Sequence, residues 1–88
     1  MRTLRVLLLT QENCAFCDAA KAMLSRLARE YPLSLATLPL ESADGRTLAE
    51  GGGILFPPGI FIDDEPLCYG RPSERMLRRE IQRRLPVS

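Results

Sequence analysis

The spacing of apolar residues switches between two periods early in the chain, and this switch constrains the fold more than any other feature. Residues 3–10 contain the short, mostly apolar run LRVLLLT, which is typical of a strand buried on both faces. From Ala15 the apolar residues recur at spacings of three and four, which predicts a helix that stops at Pro32. The apolar stripe of this helix comprises Phe16, Ala20, Met23, Leu24, Leu27, Ala28 and Tyr31.

The remaining segments predict two strands in a hairpin, one further strand and two helices. The segment LSLATLPLE alternates apolar and polar residues for a few positions, as a second strand does. Residues 42–50 favour a short helix that the glycines at 51–53 end, and GIFIDDEPLCYG suits two strands joined at Asp63–Asp64. Pro72 and Ser73 suit the start of a last helix, whose apolar stripe is Leu77, Ile81 and Leu85.

The resulting order is β-α-β-α-β-β-α. Its first crossover is long enough to join two parallel strands. The order therefore predicts an α/β fold with a four-stranded mixed sheet covered by three helices. The chain of 88 residues is long enough for one hydrophobic core, so we expect a single domain over residues 1–88.

Composition and charge exclude several classes of function. The net charge of +1 gives no general attraction to nucleic acid, and no aromatic platform or groove-reading motif accompanies the basic residues. The apolar run 6–9 is too short for a signal peptide or a membrane span, so we expect a cytoplasmic protein. We also expect it to be a monomer. Six of the eleven arginines lie in the last eighteen residues: Arg71, Arg75, Arg78, Arg79, Arg83 and Arg84.

Cys14 and Cys17 lie at the junction of the first predicted strand and the first predicted helix. Backbone N–H groups at a helix N-terminus carry partial positive charge and stabilise a thiolate. We therefore predict that Cys14 is exposed and that its pKa lies below the ordinary thiol value of roughly 8.5. Cys17 follows one helical turn later on the same face, where its thiol can attack a mixed disulfide formed on Cys14.

Other uses of the cysteines stay open on the residues alone. A structural zinc ion requires four thiolate or imidazole ligands, and the chain has no histidine and one further cysteine, Cys68. A metal or iron–sulfur carrier would therefore need a carboxylate, glutathione or a second subunit. A further alternative is that the pair consists of two small residues packed on a helix. Another is a non-catalytic interaction module whose arginine-rich last helix binds a partner. Cys68 falls in the last strand, as a packing residue or a regulatory thiol.

A first strand, a C-x-x-C motif that opens a helix, and the late stretch PPGIFIDDEPLCYGRPSERML occur in this order. Together they resemble the glutaredoxin branch of the thioredoxin superfamily over nearly the whole chain, which implies a thioredoxin-like fold. Glutaredoxins typically carry a Cys-Pro-Tyr-Cys site. Phe16 keeps the aromatic residue of that site, whereas Ala15 replaces its proline.

The resemblance also implies a substrate groove opposite the cysteine pair. In these proteins a cis-proline faces the cysteines, and the residue before it offers backbone hydrogen bonds to a peptide or to glutathione. The matching proline is Pro58, and the preceding Pro57 has no N–H and offers only its carbonyl. Arg71 stands near the position of glutathione-binding residues. The expected substrate-binding residues are Phe16, Phe56, Pro57, Pro58, Gly59 and Arg71.

This chain departs from the glutaredoxin pattern at three places. Gln11-Glu12-Asn13 precede the first cysteine, where glutaredoxins often have a lysine that holds a carboxylate of glutathione. Phe56-Pro57 replace the Thr-Val that precedes the cis-proline, and residues 69–73, YGRPS, replace a Gly-Gly pair with its acidic residue. Arg71 is the residue in that last segment that supplies a charge.

We therefore expect a dithiol–disulfide oxidoreductase of the glutaredoxin or thioredoxin type, with Cys14 as the nucleophile and Cys17 as the resolving thiol. Its expected substrates are protein disulfides or glutathione mixed disulfides. No bound metal or cofactor is expected, and glutathione is a candidate co-substrate. The expected partners are disulfide-containing proteins and a reductant, either glutathione or a thioredoxin reductase.

Overall fold

The computed structural model describes residues 2–86, and its elements follow the predicted order. They are β1 (Leu4–Thr10), α1 (Ala15–Ala28), β2 (Leu33–Pro39), α2 (Ala43–Gly52), β3 (Gly59–Ile62), β4 (Glu65–Tyr69) and α3 (Glu74–Arg84). The four strands form one sheet in the order β2-β1-β3-β4. Strand β1 is parallel to β2 and antiparallel to β3, and β3 is antiparallel to β4. The predicted four-stranded mixed sheet with three helices is therefore confirmed.

Helices cover both faces of the sheet because β1 alternates its apolar side chains between them. On one face, β1 and β3 pack against α1 and α3 through Leu4, Val6, Leu8, Ala20, Leu24, Leu27, Ile60, Ile62, Leu77 and Ile81. On the other face, α2 and the segment after it contribute Ala49 and Ile54, which pack against Leu9 and Phe61. This arrangement holds the C-terminal end of β1 and the first turn of α1 on a rigid support.

The helix boundaries differ from the prediction by a few residues. Helix α1 ends at Ala28 rather than near Pro32, so Tyr31 lies outside it. Helix α2 continues through the first two glycines to Gly52, and Gly53, which has a left-handed conformation, is its C-cap. Pro72 lies before the first turn of α3, since Ser73 is the cap and its Oγ accepts the N–H of Met76 at 3.1 Å.

Several arginines join α1 to α3 rather than forming a free basic surface. The Arg26 guanidinium contacts the Glu74 carboxylate at 2.7 Å, and that of Arg78 contacts Glu30 at 2.6 Å. Arg84 pairs with Glu80 within α3 at 2.8 Å. The first pair therefore joins α1 to α3, the second joins the residue just after α1 to α3, and the third lies within α3. None of the helices within residues 2–86 has the length and hydropathy that crossing a membrane requires.

The turn between β3 and β4 holds the carboxylate of Asp63 in its charged form. The backbone N–H of Arg5 donates to Asp63 Oδ1 at 2.9 Å, and the Arg2 guanidinium donates to Oδ2 at 2.6 Å. These contacts, the backbone one foremost, hold the pKa of Asp63 below its ordinary value. Because the folded pKa is the lower one, this stabilisation is present above the unfolded pKa of about 4 and is lost as the pH falls through the folded value.

We expect the melting temperature to fall on acidification below about pH 4, and Asp63→Asn to reduce this dependence on pH. The variant lacks the carboxylate that takes up a proton on unfolding, so it melts at a lower temperature at neutral pH and approaches the wild type in acid. Thermal unfolding followed by circular dichroism across the pH series measures both curves. Parallel curves for the two proteins would contradict the role given to Asp63.

Candidate active site

The side chain of Cys14 caps the N-terminus of α1. Its Sγ accepts a hydrogen bond from the backbone N–H of Cys17 at 3.1 Å, and its carbonyl accepts one from Asp18 at 3.1 Å. The preceding Asn13 has a φ of 54°, a left-handed conformation that asparagine adopts more readily than most residues. This tight turn delivers Cys14 from the end of β1 to the helix start. The sulfur therefore lies at the positive end of the helix.

Cys14 and Cys17 are joined by a disulfide, with their Cα atoms 5.2 Å apart. The structure thus describes the oxidised form of the pair. Cys17 is buried, with 2% of its surface exposed, whereas Cys14 is half-buried rather than exposed as predicted. The difference in accessibility makes Cys14 the sulfur that an incoming disulfide can reach.

The peptide bond between Pro57 and Pro58 is cis, at the proline that the resemblance indicated. Pro58 is fully buried and Pro57 is half-buried. The Pro58 carbonyl accepts the N–H of Gly70 at 2.8 Å, which fastens this segment to the end of β4. Gly59 is also buried, and a side chain there would approach Ile54 at 2.9 Å.

The loop between β4 and α3 connects the cysteine motif to the proline segment. The Arg71 guanidinium lies over the ring of Phe16, with 5.4 Å between Cζ and the ring centroid. The preceding Gly70 bonds to Pro58 and has a φ of 90°, which favours glycine. A Cβ at Gly70 would also approach the Phe56 ring at 3.0 Å. Four predicted substrate-binding residues, Phe16, Arg71, Phe56 and Pro58, are thereby linked through this loop.

Exposed apolar side chains flank the same segments. Phe16 is 51% exposed and Phe56 is 54% exposed, so Phe16 follows the apolar spacing of α1 without being buried like Ala20, Leu24 and Leu27. Leu55 is 75% exposed, and Tyr69 packs edge-on against Phe56 with ring centroids 5.1 Å apart. Leu55 and Tyr69 were not among the predicted site residues. We call Phe16, Leu55, Phe56 and Tyr69 the apolar collar.

Cys68 lies on β4 and is half-buried against the core beneath α1 and α3. Burial raises the pKa of its thiol to about 11, so little thiolate is present near neutral pH. Across residues 2–86, no cluster of three or more histidine, cysteine, aspartate or glutamate side chains is placed to hold a metal ion. A metal bound by the cysteine pair would need further ligands from outside this part of the chain.

Comparison with known proteins identifies two archaeal relatives, although no model of a protein family matches the chain. The chain is 32% identical over 76 residues to a probable thioredoxin of Archaeoglobus fulgidus, an alignment that covers 86% of this chain and 84% of the relative. It is 27% identical over 85 residues to a thioredoxin of Methanocaldococcus jannaschii, which covers 97% of this chain and 100% of the relative.

Solved structures share the fold at lower sequence identity. A point mutant of a thioredoxin from Halobacterium salinarum NRC-1 superposes with a TM-score of 0.73 and 18% identity, over 97% of this chain and 77% of that one. A Staphylococcus aureus protein of unknown function gives a TM-score of 0.64 and 17% identity, over 94% of this chain and 92% of that one. The chain therefore belongs to the thioredoxin-fold superfamily, and its Cys14–Cys17 pair is that of a thiol–disulfide oxidoreductase.

Proposed function

We propose that this chain reduces disulfides of protein substrates, with Cys14 as the attacking thiolate and Cys17 as the resolving thiol. One observation carries the assignment of roles. Cys14 is only half-buried and its sulfur accepts a backbone N–H at the start of α1, whereas Cys17 is buried one turn behind it. A negative charge is favoured on the first sulfur, and only the first is open to a large substrate.

The reaction consists of two successive exchanges. In the reduced chain, the Cys14 thiolate attacks one sulfur of the substrate disulfide, and the other substrate sulfur leaves as a thiolate that takes a proton from water. Cys17 then loses its proton and attacks the Cys14 sulfur, which releases the second substrate thiol. Two electrons have passed to the substrate, and the chain is left with the Cys14–Cys17 disulfide. An external thiol or dithiol reductant restores both thiols.

The apolar collar supports a protein substrate rather than glutathione. Its four side chains belong to the cysteine motif, to the residues just before the two prolines and to the end of β4, and all four remain exposed, which suits contact with a folded or extended polypeptide. Glutathione is small and charged, and the residues just before Cys14 carry an acid, Glu12, and no base. Pro57 offers a substrate backbone only its carbonyl, which accepts one N–H of an extended peptide beside the cysteine.

Arg71 supplies the positive charge of the proposed substrate groove. Its guanidinium lies over Phe16 within the cysteine motif, and both residues line a small cavity together with Pro72. This position suits a substrate carboxylate, which would rest beside the aromatic ring while the substrate disulfide meets Cys14. Phe16, Phe56, Pro57 and Arg71 then line the proposed groove, and the buried Pro58 and Gly59 support it from beneath.

A two-substrate, two-reductant assay tests the proposal. NADPH oxidation is followed with a thioredoxin reductase or with glutathione and glutathione reductase, each offered a protein disulfide or a glutathione mixed disulfide. We expect turnover of the protein disulfide with at least one reductant, and a higher kcat/KM for it than for the glutathione mixed disulfide. Absence of protein disulfide reduction with both reductants would refute the proposal.

A substitution in the collar tests substrate choice separately from the chemistry. Leu55→Ser removes the most exposed collar side chain, and we expect kcat/KM for a protein disulfide to fall at least about tenfold, since burying a leucine contributes about 1.5–3 kcal/mol. The glutathione mixed disulfide is the matched control substrate, and its kcat/KM should stay unchanged. An equal loss of kcat/KM with both substrates would show that Leu55 supports the structure of the site and does not contact the protein substrate.

A further inference from the structure

The outer edge of β2 is unpaired within the part of the chain that the structure describes. The sheet order leaves β2 paired with β1 alone. The N–H of Leu4 donates to the Pro32 carbonyl at 3.0 Å, and the N–H of Leu40 donates to the Thr10 carbonyl at 2.8 Å. With the parallel register, these two bonds place the even-numbered residues of β2 against β1. The odd-numbered residues therefore direct their N–H and C=O groups away from the sheet.

Three residues of β2 present both backbone groups at this edge: Leu33, Leu35 and Thr37. The next odd-numbered residue, Pro39, has no N–H. Its carbonyl already accepts the backbone N–H of Ser42 at 3.1 Å and the Ser42 hydroxyl at 2.7 Å. The free edge thus consists of three donors and three acceptors placed symmetrically about Leu35.

Nothing in β2 blocks the addition of another strand. Sheet edges in monomeric proteins usually carry charges, prolines or bulges that prevent pairing. The sequence of β2, LSLATLP, has no charged residue, its register with β1 is continuous, and its proline is the last residue. Leu35 is 40% exposed although it lies in register with the buried Val6, on the face that α1 and α3 cover elsewhere.

We propose that β2 pairs antiparallel with β2 of a second copy of this chain, about a two-fold axis at Leu35. Leu35 then exchanges two hydrogen bonds with Leu35 of the second copy, and Leu33 exchanges two with Thr37 at each end. These six bonds use every free group of both edges. Moving the axis to Ala36 places Leu33 opposite Pro39, whose N–H is missing, and leaves four bonds.

The side chains fit the same register. Leu35 meets its own copy across the axis and buries apolar surface on both chains. On the opposite face, Ser34 meets Ala36, and both are small enough for the close spacing of a pair without hydrogen bonds. Because β2 has no charged residue, no like charges face each other across the axis. A second copy can therefore pair with every free backbone group of this edge and also cover Leu35. This proposed dimer differs from the monomer that we expected from the sequence.

Charge variants at Leu35 test the axis directly. We expect the wild type to dimerise with rising concentration in sedimentation velocity. Leu35→Lys and Leu35→Glu should each dissociate the dimer, with a Kd raised about tenfold or more, because each places two like charges across the axis. An equimolar mixture of the two variants should recover the dimer, since the axis then joins opposite charges. Disulfide reduction per chain should match the wild type in both variants, which verifies folding.

Two results would overturn the proposal. A wild type that sediments as a monomer up to about 1 mM excludes self-pairing and leaves the edge to a strand of another protein. A dimer that both charge variants retain, or that their mixture fails to restore, places the interface elsewhere. Amide hydrogen exchange supplies the residue-level measurement, since Leu33, Leu35 and Thr37 should exchange more slowly as concentration rises. Unchanged exchange at these amides in a dimeric sample also overturns it.

Discussion

Cys14→Ser is expected to lower the rate of protein disulfide reduction by at least about 10³-fold, because a serine hydroxyl is not ionised at neutral pH and does not attack a disulfide. The fold should be retained, since serine also accepts the backbone N–H that the Cys14 sulfur accepts at the start of α1. The coupled NADPH assay measures the loss. Wild-type activity in this variant would refute the role of Cys14 and favour a non-catalytic binding function.

Cys17→Ser should fail in a different way. Cys14 remains able to attack, but the mixed disulfide with the substrate has no resolving thiol and accumulates. Mass spectrometry of the intact protein should show one substrate molecule attached through Cys14. Cys68→Ser is the matched control, since its half-buried thiol has a raised pKa, and it should keep full activity. An adduct on Cys17 in the Cys14→Ser variant would reverse the two assignments.

The order of elements and the position of the cysteine pair could be predicted because both rest on local patterns. The apolar run of β1 and the helical spacing after Ala15 correspond to elements that the core requires, and the cysteines lie where those patterns meet. The cis bond before Pro58 could not be read from local preference. The resemblance indicated Pro58 as the matching cis-proline, and the Pro57–Pro58 peptide bond is cis in the structure.

The collar shows where sequence patterns stop being sufficient. Periodicity alone places Phe16 on the same apolar stripe of α1 as the core residues, whereas its side chain is half exposed. Leu55 belongs to no periodic segment, so the sequence patterns do not mark it as a site residue. Tyr69 ends a predicted strand, where an aromatic side chain usually packs on the sheet. The run Leu55-Phe56-Pro57-Pro58 was an available signal, since an apolar pair before two prolines has little regular structure in which to be buried.

The free edge of β2 is a second feature that sequence patterns could not predict. Alternation in LSLATLPLE indicated a strand correctly, but a strand pattern does not reveal whether one side or both sides are paired. That property depends on the order of strands in the sheet, which places β2 outermost. The start of α2 agrees with the prediction and also rests on a tertiary contact, because its first turn packs against the carbonyl groups of Pro39 and Leu40 at the end of β2.

This close contact makes Gly45→Ala the substitution with the largest expected loss of stability outside the hydrophobic core. A Cβ at Gly45 would overlap the Pro39 carbonyl oxygen and lie 2.9 Å from the Leu40 carbonyl oxygen. Both oxygens are backbone atoms. The Ser42 hydroxyl donates a hydrogen bond to the Pro39 carbonyl and accepts one from the Gly45 N–H, and these bonds hold the segment in place. We expect the free energy of unfolding to fall by about 3 kcal/mol, since α2 must move away from the sheet.

Gly51→Ala is the matched control in the same helix. A Cβ at Gly51 meets no heavy atom within 4 Å, so alanine adds helix propensity without a clash. We expect this variant to be unchanged or more stable by about 0.5–1 kcal/mol, because alanine loses less backbone entropy on folding. Urea denaturation of both variants gives the comparison. Equal changes at the two positions would show that the start of α2 moves freely, and that its contact with the end of β2 does not hold the helix.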